Sequence, residues 1–347
     1  MRSLYSLALI LTAILFFVFV LALVTGTVTI PPLEVFTVLS GHEPTKKSWG
    51  AIVLLFRLPK ALTAVGAGAA LAMSGLMMQT LFRNPLAGPS VLGISSGAGL
   101  GVALVVLGAA INHRNAHLIE GLGVGGNLTL VMAAALGSFL VLFIILLCSR
   151  WVDNVMTLLI IGLLGGFALN AIVSVLIHFS RPEMIQAYLA WTFGSFANVT
   201  WREIRIFLPI CLLVCSMALF TGKPLNGLLL GETYARSMGL NFLITRAVVI
   251  TLTAILVGAV TAYCGPIAFI GIAVPHLSRV LAATSDHRIL LPVTAIIGSI
   301  VALCADILAQ LPGHSTILPL NAVTALVGSP VIIWFIVKGQ KKQRNFF

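Results

Sequence analysis

Apolar residues run through this chain in long blocks, and the clusters of charge, proline and glycine between them recur at the spacing of membrane crossings. About 20 residues rising ~1.5 Å each traverse a ~30 Å hydrocarbon layer. The pattern predicts about ten such helices, near residues 5–25, 58–81, 91–110, 124–148, 155–178, 203–220, 242–263, 265–284, 289–309 and 319–338. The second is the most informative. Ala61 to Leu81 holds no charge, yet FRLPK precedes it and FRNPLAGP follows, so both ends of an apolar helix carry specific chemistry. Residues 4–25 form a run longer than the apolar core of a secretory signal and lack an A-x-A cleavage site, which predicts a retained first helix.

Composition extends this picture to the whole chain. With 59% hydrophobic and 8% charged residues and a mean hydropathy of +1.12, it is expected to be an all-α polytopic membrane protein, one transmembrane domain over residues 1–347. No polar stretch suffices for a soluble catalytic module and no G-x-x-x-x-G-K-S/T loop occurs, so no enzyme is expected and any ATP must be handled by a partner. The net charge of +11 does not point to nucleic acid, because the 20 basic residues are scattered singly between apolar blocks. Membrane topology accounts for them. With the N-terminus inside, twelve of the 20 fall on the cytoplasmic side, and the tail KGQKKQR from Lys338 to Arg344 sets the same orientation. An even number of helices then leaves both termini in the cytoplasm. Cys148, Cys211, Cys215, Cys264 and Cys304 lack C-x-x-C spacing and read as packing residues, so no metal or cofactor is expected.

Two features point to internal order. LTAVGAGAALAMSG at 62–75 and LTAILVGAVTAYCG at 252–265 share seven of fourteen residues at an offset of 190. These would be the second and seventh helices, crossing in opposite directions, as in the inverted repeats of transporters; shared Ala/Gly/Leu bias is the alternative. Gly93, Gly97 and Gly101 on one helix, and Gly162, Gly165 and Gly166 on another, predict faces where helices approach closely.

Candidate chemistry is sparse. G-I-S-S-G at 93–97 fits the G-x-S-x-G pattern, but it opens an apolar helix without a preceding strand or a His/Asp pair, so no catalytic residue is assigned. The seven histidines lack metal-site spacing, and His276 in FIGIAVPHLSR is expected to cap or bond a neighbouring helix. Asp306 lies in the ninth span near its outer end, where it makes either a structural hydrogen bond or a proton relay. The loop TGKPLNGLLLGETYARSMGLN, 221–241, is long for a connector between packed helices, and its helical stretch around Glu232 to Met238 predicts a cytoplasmic docking element. In FRNPLAGP, Asn84 and two prolines must break the second helix at its cytoplasmic end, which suits a gate.

At these residues the chain resembles the FecCD/BtuC family, the permease subunits of type II ABC importers for iron-siderophore complexes, haem and cobalamin. The motifs are RLPKALTAVGAGAALAMSG, LFRNPLAGPSVLG, LLLGETYARSMGLN, GPIAFIGIAVPHLSR, DHRILLP and NAVTALVGSPVIIW, spread over almost the whole chain. The resemblance implies a ten-helix subunit in a bacterial cytoplasmic (inner) membrane, forming a homodimer with two ATP-binding cassette ATPases below and a periplasmic or lipid-anchored substrate-binding protein above. It assigns ATPase coupling to Glu232, Ala235, Arg236 and Gly239, and the cytoplasmic gate to Asn84, Pro85 and Leu86 with Val155 and Met156. The last two are bulkier than the small hydroxylated residues expected there. Arg57 and Lys60 match basic positions that accept carboxylates of the binding protein, while Gln310 stands where a third basic residue is expected. The implied mechanism is alternating access, with an iron-siderophore complex as first substrate and cobalamin or haem behind it. An ion-gradient-driven secondary transporter is the alternative, and Asp306 would have to carry it.

Overall fold

The computed structural model describes residues 2–108, 126–152, 154–237, 239–310 and 317–344, and among these the secondary structure is helical throughout. Six helices are long and apolar enough to cross a membrane; a seventh crossing is a pair bent by 51°, and three shorter apolar helices bring the set to the ten predicted positions. The long ones are α1 (Arg2–Val24), α4 (Leu58–Leu81), α6 (Gly126–Trp151), α7 (Val155–His178), α12 (Phe242–Cys264) and α14 (His287–Ala309). The bent pair is α9 (Trp201–Leu219) with α10 (Gly222–Leu229), and the short apolar stretches are α5 (Ile94–Val106), α13 (Ile270–Ala282) and the first part of α15 (Leu320–Arg344).

The second span begins earlier than its apolar block. A short α3 (Lys47–Ala51) runs into a π-helical segment, Ile52–Arg57, and on into α4. Pro59 explains the widening, because it has no N–H and its ring would clash with the carbonyl four residues back. The N–H of Leu58 bonds Val53 O, five residues back. Leu54 O, which Pro59 cannot reach with a donor, instead accepts the Trp201 indole N–H at 2.8 Å. Two further short helices, α2 (Pro32–Leu39) and α8 (Pro182–Thr192), lie outside the predicted spans, each with Pro at its start.

Helix α4 is the centre of the bundle, packed by α14, α12, α13 and α9. Small residues make this possible: a Cβ on Gly68 would strike the backbone of Gly298 on α14, one on Gly75 the backbone of Gly271 on α13, and one on Gly66 would crowd Phe207 and Leu208 on α9. In the membrane such close approach replaces the hydrophobic drive that water would supply.

The packing repeats between halves. α4 lies on α14 as α12 lies on α6, α5 on α6 as α13 on α14, α5 on α7 as α13 on α15, and α4 on α13 as α12 on α5. α5 and α13 have 13 residues each and are entered through a left-handed residue, Gly93 (φ 77°) and Phe269 (φ 67°). Leu81 and Phe82 at the end of α4 line one cleft with Phe242 at the start of α12, so the two equivalent helices run in opposite senses. Shared composition would not produce this correspondence, whereas an inverted repeat does. The predicted glycine faces divide differently: Gly97 and Gly101 meet Gly137 and Ala133 on α6, Gly93 meets Gly162 on α7, and Gly165 faces open space.

Candidate functional site

The predicted residues collect at the two ends of α4. At the Arg57 end, Arg57 is only 5% exposed and points inward. Its Nη1 donates to Leu23 O and Val24 O at 2.8 Å each, and its Nη2 donates to Val28 O. It therefore caps the C-terminus of α1, where unsatisfied carbonyls and the helix dipole favour a cation. Gly26 leaves the room: a Cβ there would lie 2.8 Å from Nη2. Lys60 Nζ pairs with Asp306 Oδ2 at 3.0 Å, with both side chains nearly buried. Gln310 is buried too, and its Nε2 donates to Asp306 Oδ2 at 2.9 Å. Asp306 is thus a structural partner, and a neutral residue at 310 completes its shell without competing with Lys60. Among the described residues, the exposed basic ones at this end include Lys46, Lys47, Arg181, Arg202 and Arg205, the last two on α9 beside the Trp201–Leu54 contact.

At the other end α4 stops at Arg83, whose φ of 47° is left-handed. Asn84 Oδ1 accepts the N–H of Leu86 at 2.9 Å and fixes a tight turn. Pro85 O accepts from His276 Nε2 at 3.0 Å, the neighbouring-segment bond expected of that histidine. Val155 and Met156 stand opposite, opening α7 after Asn154, whose Oδ1 accepts the Met156 N–H at 2.8 Å. A cleft of about 530 Å³ lies between, lined by Leu81, Phe82, Arg83, Asn154, Val155, Met156, Leu228 and Phe242. The structure thus brings the end of α4 and the start of α7 to one opening, with Asn84, Pro85 and Leu86 continuing from its rim.

The 221–241 segment adjoins this cleft. It comprises α10 and a separate short helix, α11 (Glu232–Ser237), between Gly231 (φ 113°) and Gly239 (φ 81°). Ala235 is buried against the bundle and Tyr234 is exposed, while the side chains of Glu232 and Arg236 lie outside the described residues. The glycines supply left-handed turns that set α11 apart from α10 and α12 as a separate short helix.

A polar cluster that sequence reasoning left without a role joins these parts. Asn226 Oδ1, on α10, accepts the backbone N–H of His287 and its ring Nδ1–H at 2.8 Å each, and Asn226 Nδ2 donates to Asp286 Oδ1 at 2.6 Å. His287 Nε2 meets the Thr80 hydroxyl of α4 at 2.7 Å. Arg83 Nη2 donates to Leu228 O at 2.7 Å, and Arg279 Nη1 to Gln79 Oε1 at 2.7 Å. DHRILLP was visible as a motif, but nothing in sequence spacing ties it to Thr80 and Asn226.

Residues 14–338 match the FecCD transport family. The chain belongs to that family. FecCD relatives include the vitamin B12 import system permease protein BtuC of Klebsiella pneumoniae, 36% identical over 285 residues that cover 82% of each chain. BtuC of Escherichia coli is 37% identical over 288 residues, 82% of this chain and 83% of that one. A solved inward-facing structure, described as a metal-chelate type ABC transporter, superposes with a TM-score of 0.81 at 29% identity, over 97% of this chain and 99% of that one. The fold is therefore the BtuC-like polytopic membrane fold.

Proposed function

We propose that this chain is the membrane-spanning permease of an ATP-driven type II importer and acts as a homodimer with two ATP-binding cassette subunits and a substrate-binding protein. The observation that carries the reading is the separate short helix α11 beside a cleft built from the ends of α4 and α7. An ATPase seated on α11, through Glu232, Ala235, Arg236 and Gly239, would displace the segment that lines the opening. The Asn84 end then faces the cytoplasm of a bacterial inner membrane, with both termini on that side, and Asn84 to Leu86 with Val155 and Met156 form the gate. Cargo is a metal chelate of the iron-siderophore, haem or corrinoid kind, selected by the binding protein and passed by alternating access.

Docking at the opposite face works in two steps. Lys46, Lys47, Arg202 and Arg205 steer an acidic partner without breaking any bond in the permease. Lys60 engages only if a partner carboxylate displaces Asp306, and Arg57 only if it leaves the α1 carbonyls. The ion-gradient alternative gains nothing from Asp306, which is held by Lys60 and Gln310. Liposomes holding the complete complex should take up labelled chelates only with ATP inside, tested with iron-siderophore, haem and cobalamin and a matching binding protein. Uptake on an ion gradient without the ATPase would sink the proposal.

A further inference from the structure

The mechanical question left by that reading is how α11 pulls on a gate that belongs to another helix. α10 joins α9 at a 51° bend, so a push on α11 could be absorbed there. Helices α4 and α14, by contrast, are held at three levels: Lys60–Asp306 at one end, Ser299 Oγ to Val65 O at 2.9 Å with the Gly68–Gly298 crossing in the middle, and Thr80–His287 at the other end. They form one body. We propose that α10 is latched to this body by two ties, Asn226–His287–Thr80 and Arg83–Leu228 O, and that these ties carry the displacement of α11 to the gate turn.

The chemistry suits a latch. Thr80 is 2% and His287 1% exposed, so water does not replace a broken partner. Asn226 Oδ1 can only accept, which places the ring proton on Nδ1 and leaves Nε2 to accept from the Thr80 hydroxyl, whose single proton would otherwise go to Leu76 O at 2.9 Å. Every group in the chain is then satisfied with His287 neutral. Arg83 adds a tie inside the gate turn itself, at a left-handed backbone position of the kind that persists only where surrounding contacts impose it.

The proposal rests on α11 being the ATPase contact, and its test keeps the two apart. The complete complex is reconstituted with its ATPase and binding protein, and co-purification, hydrolysis and chelate transported per ATP are measured. Asn226→Ala and Thr80→Val should retain the ATPase and its hydrolysis while transport per ATP falls about tenfold, the scale of one or two buried hydrogen bonds. Thr80→Ser, which keeps the hydroxyl, should stay near wild type. Asn226→Asp sets a carboxylate against Asp286 and should uncouple; adding Asp286→Asn restores the pairing with roles exchanged and should restore the ratio. An unchanged ratio in Asn226→Ala and Thr80→Val overturns the latch, and so does parallel loss of assembly, hydrolysis and transport, which marks a purely structural role. Deletion of 232–239 tests the underlying reading: if the ATPase still co-purifies, α11 is not its contact and the latch proposal falls with it.

Discussion

Helices α4 and α7 have 24 residues each and are both long and apolar enough to cross a membrane, yet they occupy opposite environments. In the apolar window of the span that ends in α4, 83% of residues are buried, against 17% for α7. Mean hydropathy is higher for α7, but both helices exceed what a membrane crossing requires, because lipid and protein interior are both apolar. The distribution of small residues separates them. Gly66, Gly68 and Gly75 turn toward three different neighbours, so α4 is gripped on several sides. On α7, Gly162 and Gly166 meet only the 91–96 segment, and the rest of the surface is large: Ile160, Leu163, Leu164, Phe167, Ile172 and Val175 are exposed. One helix is a structural axis; the other is free to face lipid or, in the proposed homodimer, a second copy.

The sharpest way to break this contrast is to enlarge one glycine on each helix. Gly75→Leu drives a side chain into the backbone of Gly271, which cannot give way as a side chain would, so the loss should reach the ~4–5 kcal/mol that marks exceptional substitutions. No monodisperse peak should survive size-exclusion chromatography in detergent. Gly165→Leu on α7 meets open space and should leave the subunit folded. If both variants behave alike, the burial difference has no mechanical meaning.

Next in size is the ion pair that ties α4 to α14. Lys60→Ala leaves the Asp306 carboxylate buried without its cation, at a cost of ~3–5 kcal/mol typical of a broken buried pair. Lys60→Met with Asp306→Leu should recover most of it, because apolar residues of similar volume often substitute for such a pair at little cost. Thermal unfolding in one detergent checks both. A double variant as unstable as the single would mean that Asp306 is needed for something other than holding Lys60.

On α7 the expected sign is reversed: function should suffer more than stability. Met156 is 45% exposed and lines the 530 Å³ cleft, so Met156→Trp should alter stability by no more than ~0.5 kcal/mol and still narrow the opening. ATP-driven uptake should drop several-fold while ATPase co-purification is unchanged. Unfolding of this variant would make α7 as structural as α4.

These contrasts show what was legible beforehand. Six full-length spans and the bent pair were readable because hydrocarbon thickness fixes helix length, the three shorter apolar helices were placed without their shortness being foreseen, and the repeat was readable from Leu62–Gly75 against Leu252–Gly265. The break after Leu81 followed from Asn84 and Pro85. The burial of Arg57 was not legible, because its partners, the carbonyls of Leu23, Val24 and Val28, are backbone atoms that no side-chain pattern reveals. The start of α8 at Pro182, followed by Glu183 in its first turn, carried a readable signal that hydropathy alone outweighed. The Asn226–His287–Thr80 cluster was not legible, since three segments distant in sequence meet only once the bundle is packed.

The smallest predicted effect concerns the aqueous edge of that cluster. Asp286, the N-cap before α14, has its pKa lowered, first by the hydrogen bond from Asn226 and then by the Arg288 N–H. A carboxylate with a depressed folded-state pKa contributes stability that is present above its unfolded value of ~3.9 and is lost as pH falls through the lower folded value. The Asp286 contribution should therefore be flat from neutral pH to about 5 and decline below it, and it is small because the group is largely solvated. Asp286→Asn keeps the cap and removes the titration, so its acid limb should be shallower than that of the parent protein. An identical limb would mean that Asn226 binds Asp286 no better as a carboxylate than as an acid, and the partner-exchange test of the latch would lose its chemical basis.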